Sequence, residues 1–90
     1  MTTRTALTKA KRGAAFLDAK LGRGWRRKIR RRDLNIDSPC NCIIGQLYDH
    51  NFLKGLVELG IRSDRTLMRL GFGGEAGLTE AWLEVLRGKA

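Results

Sequence analysis

The amino-acid sequence predicts an all-α fold, a compact array of five or six short helices in a single domain. Apolar residues recur at steps of three and four, glycine-rich turns separate the periodic segments, and no segment has a strand pattern. The chain has 90 residues, of which 42% are hydrophobic and one is proline. This composition is enough for one small core, and the chain is too short for a large catalytic cavity.

The first predicted helix runs from Thr5 to Leu21. Thr5 is expected to cap its start, and Gly22 with Gly24 is expected to end it. Most charged residues lie off its apolar stripe, so the helix has one apolar face and one basic face. The stripe consists of Leu7, Ala10, Ala14, Leu17 and Leu21.

A dense run of cations follows, and we call residues 23–32 the arginine segment. Trp25 and Ile29 stand four residues apart in it, which predicts a short second helix that buries both side chains and turns its cations outward. Leu34 and Ile36 then alternate with polar residues, as in a brief extended connection. The cations of the segment are Arg23, Arg26, Arg27, Lys28, Arg30, Arg31 and Arg32.

Two helices are predicted in the middle of the chain. Asp37-Ser38-Pro39 is a helix-start signal, so a third helix is expected from Cys40 to about His50. Asn51 is expected to cap a fourth helix that ends at Gly60. Alternatively, the third and fourth helices form one kinked helix. The apolar residues of the fourth helix are Phe52, Leu53, Leu56 and Val57.

Two further helices complete the predicted array. Ser63 or Asp64 is expected to start a short fifth segment that Gly71 closes, and a last helix follows the glycine-rich loop at 73–77. The last helix presents Leu78, Trp82, Val85 and Leu86. The predicted core consists of Phe16, Leu17, Trp25, Ile43, Leu47, Phe52, Leu56, Leu70, Phe72, Trp82 and Leu86.

Charge is distributed unevenly along the chain. Residues 1–32 contain twelve Lys or Arg residues and one acidic residue, a net charge of +11, whereas residues 33–90 carry −2. We therefore divide the domain into basic N-terminal helices (1–32) and a near-neutral helical body (33–90). Cations at this density repel one another, and phosphates or an acidic protein surface relieve the repulsion.

The arginine segment is therefore the predicted binding site, and the basic face of the first helix forms a second row. Along a nucleic-acid backbone, such cations release condensed counterions, which gives salt-dependent binding that tolerates any base sequence. A solvated basic surface without a partner is the alternative. The second row consists of Lys9, Lys11, Arg12 and Lys20.

Residues 52–70 also admit a helix-turn-helix interpretation, with Gly60-Ile61 at the turn and residues 63–70 as the recognition helix. Thr66 and Arg69 fall where that helix should be apolar, so an ordinary helical hairpin explains the pattern better. Direct reading of base edges is therefore not predicted.

Cys40, Cys42 and His50 are the one group of soft metal ligands in the sequence. A structural zinc site takes four ligands, so Asp37, Asp49 or a second copy of the chain would have to complete it. Cys42, His50 and Asp49 also suggest a nucleophile, a base and an orienting carboxylate, but adjacent residues on a helix diverge. We therefore predict no metal, no cofactor and no enzymatic activity, and we expect buried thiols and a surface histidine.

No apolar run is long enough to cross a bilayer, and the first ten residues lack the apolar core of a secretory signal. A cytoplasmic protein that does not bind membranes is expected. Both thiols should be reduced, because a bridge between Cys40 and Cys42 would close a small, strained ring. The sequence carries no signal for an oligomeric state.

Cys40-Asn-Cys-Ile-Ile-Gly-Gln-Leu-Tyr48 is the most distinctive motif of the chain. Over roughly residues 13–87 the sequence resembles a group of small proteins encoded by actinobacterial phages and their hosts. The resemblance implies origin and fold, and no activity comes with it. The other pieces that carry it are Ala15-Phe-Leu-Asp18, Gly24-Trp25, Leu34-Asn-Ile36, Gly55-Leu-Val-Glu-Leu-Gly60, Leu70-Gly-Phe72 and Leu78-Thr-Glu-Ala-Trp82.

The arginine segment departs from that resemblance, because the stretch after Gly24-Trp25 is mixed or acidic in the group. Partner binding then lies outside the shared motif, which belongs to the scaffold. The scaffold residues are Trp25, Ile43, Gly45, Leu47, Tyr48, Phe72 and Trp82.

These observations favour a small, basic, phage-type accessory protein in the host cytoplasm that binds nucleic acid mainly through phosphates. Alternatively, the same arginines dock on an acidic face of a host protein, because carboxylates and phosphates accept the same planar guanidinium. A virion component that neutralises packaged genome is the weaker third interpretation.

Overall fold

The computed structural model describes residues 3–88. These residues form five α-helices and two short 3₁₀ segments, with no strand among them, and the prediction of an all-α single domain is confirmed. The α-helices are α1 (Arg4–Leu21), α2 (Ile43–Leu47), α3 (Phe52–Leu59), α4 (Asp64–Arg69) and α5 (Leu78–Leu86). The 3₁₀ segments span Arg23–Lys28 and Arg31–Asp33.

Helix α1 packs chiefly against α5 and buries small side chains there. Its cap is Thr3 and not Thr5, because the Thr3 side chain accepts a hydrogen bond from the amide of Ala6 at 3.1 Å. Gly22 ends the helix as predicted. Leu21, which the periodicity assigned to the buried stripe, is exposed because it lines an open cleft beside Trp25.

The Trp82 side chain is the centre of the core and is fully buried. Its Nε1 donates to the Gly71 carbonyl at 2.6 Å, and its ring stacks on Phe72 with centroids 5.5 Å apart. The Trp25 and Trp82 rings pack edge to face, with their centroids 6.2 Å apart. On α1, a Cβ added to Gly13 would lie 2.7 Å from Cζ2 of Trp82. One indole thus joins α1, α5, the arginine segment and the loop after α4.

The arginine segment is not the short α-helix that the spacing of Trp25 and Ile29 predicted. A 3₁₀ helix ends at Lys28, and Ile29 and Arg30 are extended before a second 3₁₀ turn begins. Cations three and four residues apart repel one another on an α-helix, which disfavours that conformation here. The burial of Trp25 and Ile29 is confirmed.

The predicted start of the third helix is wrong by three residues. Helix α2 begins at Ile43, and Cys42 is its N-cap. Residues 37–41 form turns that cross α2 at Gly45, where a Cβ would lie 2.8 Å from the Cys40 carbonyl oxygen. The capping signal at 37–39 therefore serves a turn that packs on the helix, and the helix starts after it.

The predicted end of the third helix is also too late. Helix α2 ends at Leu47, and Asp49 and His50 take left-handed backbone conformations with φ of 53° and 65°. This break separates α2 from α3, so the alternative of one kinked helix is wrong.

The remaining helices match their predicted signals. The Asn51 side chain caps α3 by accepting the amide of Lys54 at 3.0 Å, and Gly60 ends α3 at φ 74°. Ser63 caps α4 in the same way. Helix α5 starts after Gly77 without a side-chain cap.

The buried apolar residues form one cluster that includes members of both the basic N-terminal helices (1–32) and the helical body (33–90). All eleven predicted core residues lie in this cluster or pack against it. On α3, however, Leu53 and Val57 are 73% and 81% exposed, so its apolar face extends beyond the core. The predicted core residues that are only partly buried are Phe16, Leu47, Phe52, Leu56 and Leu86.

We expect Gly13→Ala to lower the free energy of unfolding by about 1–3 kcal/mol, because the added methyl group must displace Trp82 or the Leu70 carbonyl from α1. In an uncrowded helix the same change stabilises by up to about 1 kcal/mol, so the sign of the effect tests the contact. Urea denaturation followed by tryptophan fluorescence measures it.

Gly24→Ala is the matched control, because nothing lies within 4 Å of a Cβ built at that position. Its free energy of unfolding should stay within about 0.5 kcal/mol of the wild type. A Gly13→Ala variant as stable as the control would contradict the close approach of α1 to Trp82.

Candidate nucleic-acid interface

The backbone of the arginine segment is held against the core by two buried side chains. Trp25 and Ile29 are 2% and 7% exposed, and Trp25 packs edge-on against Trp82. Since both apolar residues point inward, the cations between and after them, apart from the half-buried Arg26, point outward. The segment is therefore an ordered surface of the domain.

Gln46 of α2 fixes the backbone of the segment at a second point. Its Oε1 accepts a hydrogen bond from the amide of Arg30, and its Nε2 donates to the Arg30 carbonyl at 3.2 Å. The same Nε2 donates to the Asn41 carbonyl at 3.0 Å. One amide side chain thus satisfies both backbone groups of Arg30 and keeps that residue extended, as a strand partner would.

Asp18 of α1 supplies a third attachment. Its carboxylate accepts hydrogen bonds from Trp25 Nε1 at 2.8 Å and from the Arg26 guanidinium at 3.0 and 3.3 Å. The Arg26 guanidinium also lies 5.3 Å from the Trp25 ring centroid, in cation–π contact. The Arg26 hydrogen bonds lower the pKa of Asp18 below its ordinary 3.8, burial partly opposes them, and the Trp25 hydrogen bond adds to the lowering.

Most cations of the segment have no ion-pair partner among residues 3–88. The structure pairs Arg26 with Asp18, and it pairs Arg30 with Asp33 at 3.3 Å in an exposed contact. The other five are exposed and form no ion pair within the described range. They are Arg23, Arg27, Lys28, Arg31 and Arg32.

The predicted second row on α1 is divided between different sides of the helix. Lys9 pairs with Glu75 at 2.8 Å, and Arg12 donates to the Arg69 carbonyl at 3.3 Å, so both contact the α4 end of the molecule. Lys20 lies 5.8 Å above the Phe16 ring. Lys11, about 100° from Arg12 around the helix, lines a cleft with Arg23 and therefore lies beside the segment.

Two clefts on the segment follow from its 3₁₀ geometry, in which residues three apart lie above one another. Arg23 and Arg26 line a cleft of about 320 Å³ with Lys11 and Asp18. Trp25 and Lys28 line a second cleft, the apolar cleft, of about 290 Å³. The other residues of the apolar cleft are Leu21, Gly24, Leu47 and Tyr48.

A third cleft, the polar cleft, adjoins the apolar cleft through Lys28. It measures about 250 Å³. Its other lining residues are Arg30, Gln46, Asp49 and His50. The clefts therefore continue the surface of the arginine segment onto the end of α2.

The two cysteines differ in burial, and Cys42 has a structural role in capping α2. Cys42 is buried, its Sγ accepts the Gly45 amide at 3.3 Å as the cap of α2, and burial raises its pKa above the ordinary 9.0. This thiol is therefore protonated at neutral pH. Cys40 is exposed, contrary to the expectation of two buried thiols, and both cysteines are free.

His50 is exposed, as expected, and its Nδ1 lies 3.0 Å from the Cys40 carbonyl oxygen. Within residues 3–88, no three His, Cys, Asp or Glu side chains are grouped closely enough to hold a metal ion. His50 and Cys40 therefore meet through a backbone carbonyl.

Helices α3 and α4 occupy the positions of the helix-turn-helix interpretation. Helix α4 has six residues, fewer than two turns, and it packs against α1. Helix α3 packs mainly against α2, so within residues 3–88 the helices α3 and α4 do not form the closely packed hairpin that the sequence favoured.

Two residues that the sequence analysis did not assign to the site control its geometry. Asp18 is the one acidic residue of residues 1–32, and that isolation among twelve cations was a usable signal for a counter-charge. Gln46 carried no comparable signal, because its partner lies sixteen residues away in the chain.

Within residues 3–88, none of the helices combines the length and the apolar character that crossing a bilayer requires. Comparisons with protein-family models, with curated proteins and with solved structures give no match.

We expect the effect of Asp18→Asn on stability to depend on pH. The amide can still accept from Trp25, but it loses the charge that Arg26 binds. Because the folded-state pKa of Asp18 is lowered, the carboxylate stabilises the fold above its ordinary pKa of 3.8 and loses this contribution as pH falls through the folded-state value. Urea midpoints of wild type and variant should differ most near neutral pH and converge in acid.

Asp33→Asn is the control, since it removes the carboxylate of the exposed pair with Arg30. At neutral pH its cost should stay below about 1 kcal/mol. A constant difference between wild type and Asp18→Asn at every pH would rule out a charge-based role for Asp18.

Proposed function

We propose that this protein binds nucleic acid through the arginine segment, mainly by contacts to phosphates, and that it is a phage-type accessory protein without enzymatic activity. The observation that carries the proposal is a group of five exposed cations without ion-pair partners among residues 3–88. The backbone that bears them is anchored to the core by the buried Trp25 and Ile29. Such cations are already oriented outward, so binding orders little of the chain.

Arg30 adds a sixth contact at low cost. Its pair with Asp33 joins side chains that are 62% and 45% exposed, and a pair of that exposure contributes about 0–1 kcal/mol. A phosphate can therefore replace Asp33. Arg26 differs, because its guanidinium is committed to Asp18 and the Trp25 ring.

The irregular backbone of the segment supports phosphate contacts over base reading. The major groove admits an α-helix or a two-stranded ribbon, and the arginine segment is neither. Phosphates present the same charge at every position, so the proposed binding tolerates any sequence and weakens steeply with salt.

An acidic host protein is the second candidate partner. Guanidinium groups bind carboxylates as well as phosphates, and α3 exposes Leu53 and Val57, which a protein interface can bury and a phosphate backbone cannot. These two residues are four apart and lie on one side of the helix.

We expect the triple variant Arg27→Gln, Arg31→Gln, Arg32→Gln to bind nucleic acid more weakly and with less salt dependence. Each lost phosphate contact lowers the slope of log affinity against log salt by about 0.7–0.9, so the slope should fall by about 2 to 3. Fluorescence anisotropy with labelled duplex and single-stranded DNA at several salt concentrations measures both quantities.

The charge-matched control is the triple variant Lys54→Gln, Arg62→Gln, Arg65→Gln, which removes three exposed cations from the body. Its salt slope should equal that of the wild type. Equal effects of the two triple variants would show that only net charge matters, and wild-type binding that does not weaken as salt rises would refute the proposal.

A pull-down from host lysate, with and without nuclease, separates the two candidate partners. For nucleic-acid binding, nuclease should release all co-purified material from the wild type, and the triple variant of the arginine segment should capture little before treatment. One protein that survives nuclease and is lost in that variant would favour the acidic host protein instead.

A further inference from the structure

We infer that the arginine segment takes single-stranded nucleic acid, with one unpaired base in the apolar cleft and the neighbouring phosphates on Lys28 and the cations beside it. This inference rests on the proposed function and specifies its substrate. It comes from the position of an apolar cleft within a cationic surface.

The apolar cleft has the size and lining of a site for one planar ring. Its volume of about 290 Å³ lies just below the range for sites of drug-sized molecules, about 300–1,000 Å³, as expected for a single base. Leu21 lies on one part of the wall and is 44% exposed, while Leu47 and Tyr48 are half-buried. Apolar and aromatic side chains thus remain partly uncovered around one opening, where a base can stack on them.

The cations are arranged for the phosphate of the same nucleotide. Lys28 lines the apolar cleft and also the polar cleft, in which Arg30 and His50 lie. Asp49 is the one carboxylate that lines the polar cleft, so the two cations outnumber it. A nucleotide has the matching layout, because its apolar base and its anionic phosphate are joined through a sugar.

A double helix cannot use the apolar cleft. Its bases are stacked on one another, and their faces become accessible only when a strand is unpaired. Phosphate contacts alone would not distinguish the two forms, since both carry the same charged backbone. A preference for single strands is therefore the specific consequence of the cleft.

The first test needs no variant. Wild-type protein is titrated at one salt concentration with a mixed-sequence single strand, with an abasic single strand of equal length and with a duplex. We expect the abasic strand to bind about tenfold more weakly than the base-bearing strand, the loss typical of one stacked base. Equal affinity for these two strands would overturn the inference and leave the proposed function intact, whereas no salt-dependent binding to any probe would refute both.

The second test locates the base. Tyr48→Ala should weaken binding of the base-bearing strand about tenfold and leave the abasic strand and the duplex unchanged, whereas Tyr48→Phe should retain wild-type affinity. Because Tyr48 also lies close to Gly55 of α3, Leu21→Gln at the exposed edge of the cleft provides a second variant with less effect on folding. It should reduce affinity for the base-bearing strand in the same selective way.

Leu53→Gln is the control, because it changes an exposed leucine outside the cleft and should alter no affinity. Loss of affinity for all three probes in the Tyr48 and Leu21 variants would contradict a base site. So would unchanged affinity of both variants for the base-bearing strand.

Discussion

The hydrogen bond from the Trp82 indole to the Gly71 carbonyl constrains most of this structure, because an indole N–H buried in the core needs an acceptor. The bond fixes the loop after α4 beside α5, and the same loop then stacks Phe72 on the indole ring. Helix α1 lies close to Trp82 of α5 and to the Leu70 carbonyl because residue 13 is glycine. Trp25 completes the arrangement and brings the arginine segment onto the core. The charged surface and the packed interior thus share one aromatic centre.

The parts of the fold that depend on local chemistry could be predicted from the sequence. Asn51, Gly60 and Ser63 act within one turn of their own helices, and their signals identified α3 and α4 correctly. The Thr5 cap was a local error of two residues, and the larger errors arose where a contact from outside the predicted helix decides the backbone. Gln46 binds the backbone of Arg30, sixteen residues away, and keeps it extended. The turn at residues 37–41 packs directly on Gly45 of α2. No periodicity records such contacts, so the second helix was overestimated and the third was started too early.

The candidate site was predictable in composition and not in shape. The density of cations identified the arginine segment, whose extended break and two 3₁₀ turns then decide which side chains share a cleft. On α1 the sequence suggested one basic face, but Lys9 and Arg12 turn toward Glu75 and α4, away from the segment. Asp18 shows the opposite case, a site residue that the sequence analysis did not assign. It is an isolated acid among cations in the sequence, and in the structure its carboxylate binds both Trp25 and Arg26.

Gln46 holds the arginine segment by backbone atoms alone, since it bonds to the amide and the carbonyl of Arg30 and to no side chain of the segment. At Arg30 these two bonds therefore hold the path of the chain without help from the side-chain charges of the segment. Substitutions at Arg27, Arg31 or Arg32 change the electrostatic potential of the surface and leave its supports in place. Point mutations at these three positions can accordingly change the binding partner during evolution, even to one of opposite charge, while the backbone of the segment stays the same.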